Sequence, residues 1–366
     1  MKICVVVGAL LENDAIGNDV AHQLSVLPDH IPAFVYAEQV SRGGVEKYRI
    51  DWPALFDKID DPENILIYHH CGFWGFGQTI LEKAKCRIFI KYHNITPPGF
   101  FKPYTRFFRR YASHESFCKK GLEQTKAILK LDKVETFLCA SHFNAADFLN
   151  HGIDKSKIKI VPPFHKLDDF EDVKTDPELY QELDDGKIKI LFVGRLVPNK
   201  GHKHMIRVIA SYVAMFGPNI RFIIVGGIDP ALRSYLNELK RLVKKHQLQK
   251  IVSIKGTVTF EKLHTYYKAC HFFLLMSEHE GFCLPILEAQ FHSLPIIAMN
   301  TSVVPETLGE NQMLINGPDY QQFAAAIHVL HNRADFRDYI IRNGKQNVQR
   351  FSNKTIEETF LKAVLG

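Results

Sequence analysis

The sequence predicts an α/β protein of two tandem, doubly wound parallel sheets. Three observations carry that prediction: apolar runs of strand length, amphipathic stretches between them, and a second series of the same kind after one acidic interruption. Runs such as Ile3–Val7, Asn64–Tyr68 and Cys86–Tyr92 are largely apolar at successive positions rather than alternate ones. That pattern belongs to strands covered on both faces by crossover helices. Ile31–Tyr36, Thr136–Cys139 and Ile158–Val161 complete the first series, and helices are expected over Asn18–Leu27, Trp74–Lys83, Gly121–Leu129 and Phe143–Asn150.

Residues 165–187 are acidic and lack a strand pattern, and they read as a linker with a short helix. The second series follows, with strands at Ile188–Val193, Arg221–Val225, Ile251–Lys255, His271–Met276 and Leu294–Ala298. Its helices are expected near Lys203–Met215, Ala231–His246, Phe260–Ala269, Pro285–His292 and Tyr320–Asn332. Each series makes one Rossmann-like domain. The expected boundaries are 1–170, a linker at 171–187, 188–350, and a C-terminal helix within 351–366. In that helix Ile356, Phe360, Ala363 and Val364 recur at helical spacing and must cover an apolar face. Periodicity leaves open which domain it covers; a return to the first is one option. Ligands of such sheets bind beyond the carboxyl ends of the strands, so an interdomain cleft is the expected site.

Composition narrows the function. The 366 residues, 46% of them hydrophobic, suffice for two cores. A net charge of +6 with 23% charged residues suits anionic ligands but lacks the dense basic face of a nucleic-acid binder. Seven widely spaced cysteines with no CxxC pair argue against a disulfide framework or zinc site and for a reducing cytosol. The N-terminal apolar run meets Glu12 and Asp14 at once, unlike a signal peptide, and no stretch approaches the ~20 apolar residues needed to cross a bilayer.

The sharpest motif is SEHEGFCLPILEA, Ser277 to Ala289, entered directly from a strand. Gly281 permits a tight turn, and Pro285 suits a helix's first turn. The amides of Gly281, Phe282, Cys283 and Leu284 can then point outward at a helix N-terminus, where phosphate oxygens bind. Glu280 precedes the helix, and Glu288 falls one turn into it, placed to meet sugar hydroxyls. The same residues also read as an ordinary strand–turn–helix with solvated glutamates. A second motif, FVGRLVPNKG, puts Gly194, Arg195 and Lys200 on the loop after the second domain's first strand. A guanidinium and an ammonium beside a diphosphate would neutralise a departing nucleotide; solvated loop charges are the alternative.

Together, GRLVPNKG and EGFCLPILEA, with Glu280 and Glu288 eight positions apart, resemble glycosyltransferase family 4 of the bacterial cell-envelope polysaccharide type. The resemblance implies a two-domain GT-B fold and a retaining transfer from a nucleoside diphosphate sugar, UDP or GDP sugars foremost, with no resident cofactor. It implies that Arg195 and Lys200 bind the diphosphate, that Glu280 faces the donor sugar in a catalytic role, and that Glu288 contacts the ribose. Val258 would lie under the base and Gly226 on the phosphate side. His93, ending the strand in IKYHNITPP, would point at the donor sugar's hydroxyls. Gly17 resembles the family's glycine loop, although the usual double glycine is absent, and Cys283 stands where many members have glycine. His69 and His70 end the preceding strand and either line the acceptor side or are structural.

No D-x-D triplet occurs to hold a divalent cation on the diphosphate. No metal is therefore expected; Arg195, Lys200 and a helix N-terminus would serve instead. Residues 101–130 interleave Phe, Tyr, Arg and Lys, as in segments that lie on an anionic bilayer, or in a solvated basic helix. The expected acceptor is a glycan or lipid-linked glycan, and the expected location cytoplasmic, peripheral on the inner face of the plasma membrane. A sugar-nucleotide epimerase or hydrolase on the same fold, or a non-catalytic protein that only binds nucleotide sugars, are the alternatives.

Overall fold

The computed structural model describes residues 1–12, 14–104 and 113–366. The chain divides into two compact units. The first comprises Met1–Pro98, His114–Lys166 and Phe351–Gly366; the second comprises Leu167–Arg350 with the described residues of 99–113.

The first unit begins with β1 (Ile3–Leu10), α1 (Ala15–Val26), β2 (Ala33–Val40), α2 (Trp52–Ile59), β3 (Ile65–His70), α3 (Gly75–Lys83) and β4 (Arg87–Tyr92). It continues with α4 (His114–Ile128), β5 (Val134–Cys139), α5 (His142–Asn150) and β6 (Ile158–Ile160). Its six strands run in the order β2-β1-β3-β4-β5-β6, all pairings parallel. The order reverses at β1, so β1 and β3 form the switch point where such sheets open their binding crevice.

The second unit holds α6 (Pro177–Leu183), β7 (Ile188–Val193), α7 (His202–Phe216), β8 (Ile220–Val225), α8 (Arg233–Lys245), β9 (Val252–Gly256) and α9 (Phe260–Ala269). After these come β10 (Phe272–Leu275), α10 (Leu284–Phe291), β11 (Ile296–Met299), α11 (Val304–Leu308), β12 (Met313–Ile315), α12 (Tyr320–Asn332) and α13 (Ala334–Gln349). Its strands run β12-β11-β10-β7-β8-β9, again parallel. The switch falls between β7 and β10, the two strands that deliver the two sequence motifs.

The final helix, α14 (Asn353–Leu365), belongs to the first unit: Ile356, Phe360 and Val364 join Val5, Leu24 and Phe164 in one apolar cluster. His165 Nε2 bonds the carbonyl of Phe351 at 2.7 Å and so fixes the helix's entry. Residues 165–187 are not a bare connector. Phe170 stacks on Phe260, 4.3 Å between centroids, and α6 is capped by Asp176, whose own amide donates to Thr265 Oγ1 at 2.7 Å.

Candidate functional site

The loop after β7 is tied to its neighbours by backbone. Gly194 N donates to Val225 O, and Leu196 N to Gly227 O, both at 2.9 Å. At Gly226, φ is 151° and a Cβ would lie 1.9 Å from Gly194 O, so only glycine allows this approach. At the loop's far end Gly201 has φ 68°, and a Cβ there would lie 1.8 Å from the carbonyl of Met276. The glycine of the NKG triplet therefore lets one binding loop lie directly on the strand end that begins the other.

That contact brings the cation to the carboxylate. Lys200 Nζ donates to both oxygens of Glu280 at 2.7 Å. Asn199 reinforces the docking: its side-chain amide donates to His279 O at 3.0 Å, and its carbonyl accepts from Glu278 N at 2.8 Å. Glu280 is 5% exposed. Arg195 is exposed on the same loop; its carbonyl accepts from Val197 N at 2.9 Å, and among the described residues its guanidinium has no hydrogen-bond or ion-pair partner.

The turn into α10 is held from behind. Thr301 Oγ1 donates to Ser277 O at 2.6 Å, Thr307 Oγ1 donates to Phe282 O at 2.7 Å, and Glu280 N donates to Ser302 Oγ at 3.0 Å. Gly281 and Phe282 lie in this turn, and Cys283 is the N-cap of α10 with φ 72°. Among the described residues nothing accepts from the amides of Cys283 and Leu284. Their N–H groups stay free at the helix's positive end. Glu288 sits one turn into α10, half-buried, its Oε2 accepting from Tyr267 Oη at 2.6 Å; burial raises its carboxyl. Val258 is half-buried in the loop after β9.

In the first unit, His93 follows β4, its amide donating to His70 O at 3.0 Å. Its Nε2 lies 2.8 Å from His69 Nδ1 and 3.8 Å from Asp19 Oδ2. Lys91, wholly buried, has Nζ 3.9 Å from the same Asp19 oxygen and donates to the carbonyl of Val161. Burial raises the Asp19 carboxyl and lowers the Lys91 ammonium, and each charge partly restores the other. His70 is 1% exposed and bonds Thr125 Oγ1 through Nε2 at 2.8 Å. It presents no surface to a ligand and fits the structural alternative. Gly17 is buried in the first turn of α1, its amide donating to the cap Asp14 Oδ2 at 3.3 Å; the helix begins three residues earlier than expected, so Gly17 is not in the preceding turn.

Among the described residues, Asp19, His69 and His93 are the set whose ligating atoms all lie within 4.8 Å of one another. Their geometry favours a proton over a metal ion. Two imidazole nitrogens each about 2.0–2.1 Å from a tetrahedral zinc stand more than 3 Å apart. Here they lie 2.8 Å apart, and the Lys91 ammonium already faces the carboxylate.

Asp19, Gln23, Lys91, Asn199, Ser302 and Tyr267 were not singled out from the sequence. Lys91 was detectable in principle, as a charge inside the otherwise apolar FIKY strand. Asp19 and Gln23 stand four apart on α1, a spacing too common to carry a signal alone.

Residues 180–347 match the family model described as glycosyl transferases group 1. The matched stretch lies within the second unit. The chain is 27% identical over 198 residues to a phosphatidylinositol N-acetylglucosaminyltransferase polypeptide of Arabidopsis thaliana, covering 54% of this chain and 42% of that protein. To the capsular polysaccharide biosynthesis glycosyltransferase CapM of Staphylococcus aureus it is 26% identical over 199 residues, 52% of this chain and 50% of CapM. The chain thus spans about half the length of the curated relatives it matches. Among solved structures, Anabaena HepE in complex with UDP and glucose superposes with a TM-score of 0.72 at 17% identity, covering 100% of this chain and 99% of HepE. That likeness concerns the fold, which is GT-B.

Proposed function

We propose that the second unit and the first together form a retaining glycosyltransferase. It would move a hexose from a nucleoside diphosphate sugar, a UDP or GDP sugar foremost, to a glycan or lipid-linked glycan during cell-envelope polysaccharide synthesis. The observation that carries the proposal is the docking of the Arg195–Lys200 loop on the end of β10. It sets the Lys200 ammonium on Glu280, three residues before the first of the two amides at the start of α10 that have no acceptor among the described residues; the guanidinium of Arg195, on the same loop, has no side-chain partner among them either. An ammonium has three N–H donors. Glu280 takes two of Lys200's, which leaves one for a phosphate oxygen.

The chemistry follows from those groups. As the sugar–phosphate bond breaks, charge grows on the departing diphosphate. Arg195, Lys200 and the amides of Cys283 and Leu284 neutralise it with little reorganisation, each such donor worth about 10²–10³ in rate. With the leaving group held this way the reaction needs no divalent cation. Same-face substitution, in which the departing phosphate accepts the acceptor's proton, retains the anomeric configuration. Glu288, braced by Tyr267, is suited to the ribose hydroxyls.

Names of relatives support the acceptor class: one acts on phosphatidylinositol, another in capsular polysaccharide biosynthesis. Among the described residues no helix is long and apolar enough to cross a membrane. Peripheral contact on the inner face of the plasma membrane is supported by exposed Phe73, Phe76 and Phe117 in the first unit, with Lys120 Nζ 5.2 Å from the centre of the Phe73 ring. Within residues 101–130, Phe101 and Tyr104 are instead buried, Tyr104 Oη donating to Glu238 at 2.7 Å; residues 105–112 lie outside the described residues.

Incubation with a panel of UDP, GDP, ADP and TDP sugars plus lipid-linked acceptor, with and without EDTA, tests the proposal. The expected product carries the donor's anomeric configuration and forms equally with chelator. An isomerised sugar nucleotide from donor alone would establish the epimerase alternative, which nothing in the family match favours.

A further inference from the structure

Gln23, His69 and His93 form a chain, with Asp19 Oδ2 beside it 3.8 Å from His93 Nε2, whose proton positions can be derived. Gln23 is fully buried on α1, with Oε1 3.1 Å from His69 Nε2. His69 Nδ1 in turn lies 2.8 Å from His93 Nε2. The oxygen of the Gln23 amide is the atom turned to the His69 ring, while its nitrogen has no hydrogen-bond partner among the described residues; the amide lowers the Asp19 carboxyl against the effect of burial. An amide oxygen only accepts, so His69 carries its proton on Nε2.

Both rings are neutral. Burial drives His69 well below its ordinary value and lowers His93 to about 3. A neutral imidazole has one N–H, so His69 Nδ1 is a lone pair and the proton between the rings belongs to His93 Nε2. His93 Nδ1 is then the bare nitrogen. It has no hydrogen-bond partner among the described residues, is not a buried unsatisfied atom, and belongs to a side chain 9% exposed.

We propose that Gln23 and His69 are positioning residues that hold His93 as its Nε2-protonated tautomer, so that His93 meets a ligand as a hydrogen-bond acceptor at Nδ1. The group selected there is a donor, a hydroxyl, and a carbonyl or phosphate oxygen is refused. That the hydroxyl belongs to a sugar rests on the transferase proposal; the tautomer does not.

Long-range proton–nitrogen spectra of the full chain, labelled with 15N-histidine and measured at neutral pH, read the tautomer directly. Signals of His93 and His69 are assigned by their loss in His93→Gln and His69→Leu. The expected wild-type spectrum shows a pyridine-type Nδ1 for His93. Gln23→Met and His69→Leu should lose that bias, whereas His69→Asn should keep it, because its amide oxygen replaces Nδ1 as acceptor. A merely structural role would lower Tm in these variants without moving the tautomer. An Nδ1-protonated His93 in the wild type, or an unchanged tautomer in both Gln23→Met and His69→Leu, overturns the proposal. Should a variant not fold, the wild-type spectrum decides alone. Failure of every sugar nucleotide to turn over, with the tautomer as stated, counts against the transferase reading and leaves the relay standing.

Discussion

Lys200 and Glu280 share one fate at the scale of single residues. Removing the ammonium leaves a carboxylate that is 5% exposed without its charged donor. Lys200→Ala should therefore lower stability by about 2 kcal/mol as well as turnover, since a buried polar group stripped of its partner bears its desolvation alone. Arg195→Ala, at an exposed and unpaired side chain, should leave Tm within a degree or so and cut kcat by about 100-fold. Thermal melts beside steady-state kinetics separate the two; a stability loss at Arg195 equal to that at Lys200 would contradict the assignment. Cys283 is a third case. The sequence shows a cysteine where many members of the resembling family have glycine, and the backbone supplies the reason: φ is 72°. Cysteine tolerates that conformation at some cost. Cys283→Val should not, because a β-branched side chain there is strained by about 2 kcal/mol or more, a loss measurable by urea unfolding.

Between elements, Gly201 joins the loop after β7 to the end of β10. Any Cβ at this position meets the Met276 carbonyl at 1.8 Å, a backbone atom that cannot move aside cheaply. Gly201→Ala is expected to destabilise by about 3 kcal/mol and to weaken nucleotide binding, because it drives the two motifs apart. A variant of wild-type stability and affinity would show that the loops need not touch. The core strands of both sheets were legible because parallel strands buried on both faces read as continuous apolar runs. What escaped lacked that signature. β12 is three residues long, and α13 buries little beyond Ile340, Gly344 and Asn347, held by Asn347 Nδ2 donating to Gln290 Oε1 at 2.8 Å. α2 was missed although Asp51 caps it and Pro53 occupies its first turn, a start signal present in the sequence. The motif residues were legible for a different reason: their spacing resembles a known family. Their mutual contact was not, since nothing along the chain reports that Gly201 meets Met276.

For the whole molecule, neutral buried histidines set the acid limit. Burial lowers His70 to about 4 and His202 to about 3, against about 6.5 in an unfolded chain. Between those values the unfolded chain binds protons that the folded one refuses. Their contribution is thus intact above about pH 6.5 and is lost as pH falls toward the folded values, each group by up to about 1.4 kcal/mol per unit. Melting curves should show Tm declining from about pH 6.5 downward; a flat Tm to pH 4.5 would refute this. The account as a whole depends on the second unit gripping a diphosphate. Titration calorimetry of UDP and of GDP against wild type and the Arg195→Ala/Lys200→Ala double variant tests that most directly. The prediction is measurable binding of at least one nucleotide by the wild type, weakened by at least about 30-fold, or about 2 kcal/mol, in the double variant. Equal affinity in both proteins, or no affinity for either nucleotide in the wild type, would contradict it.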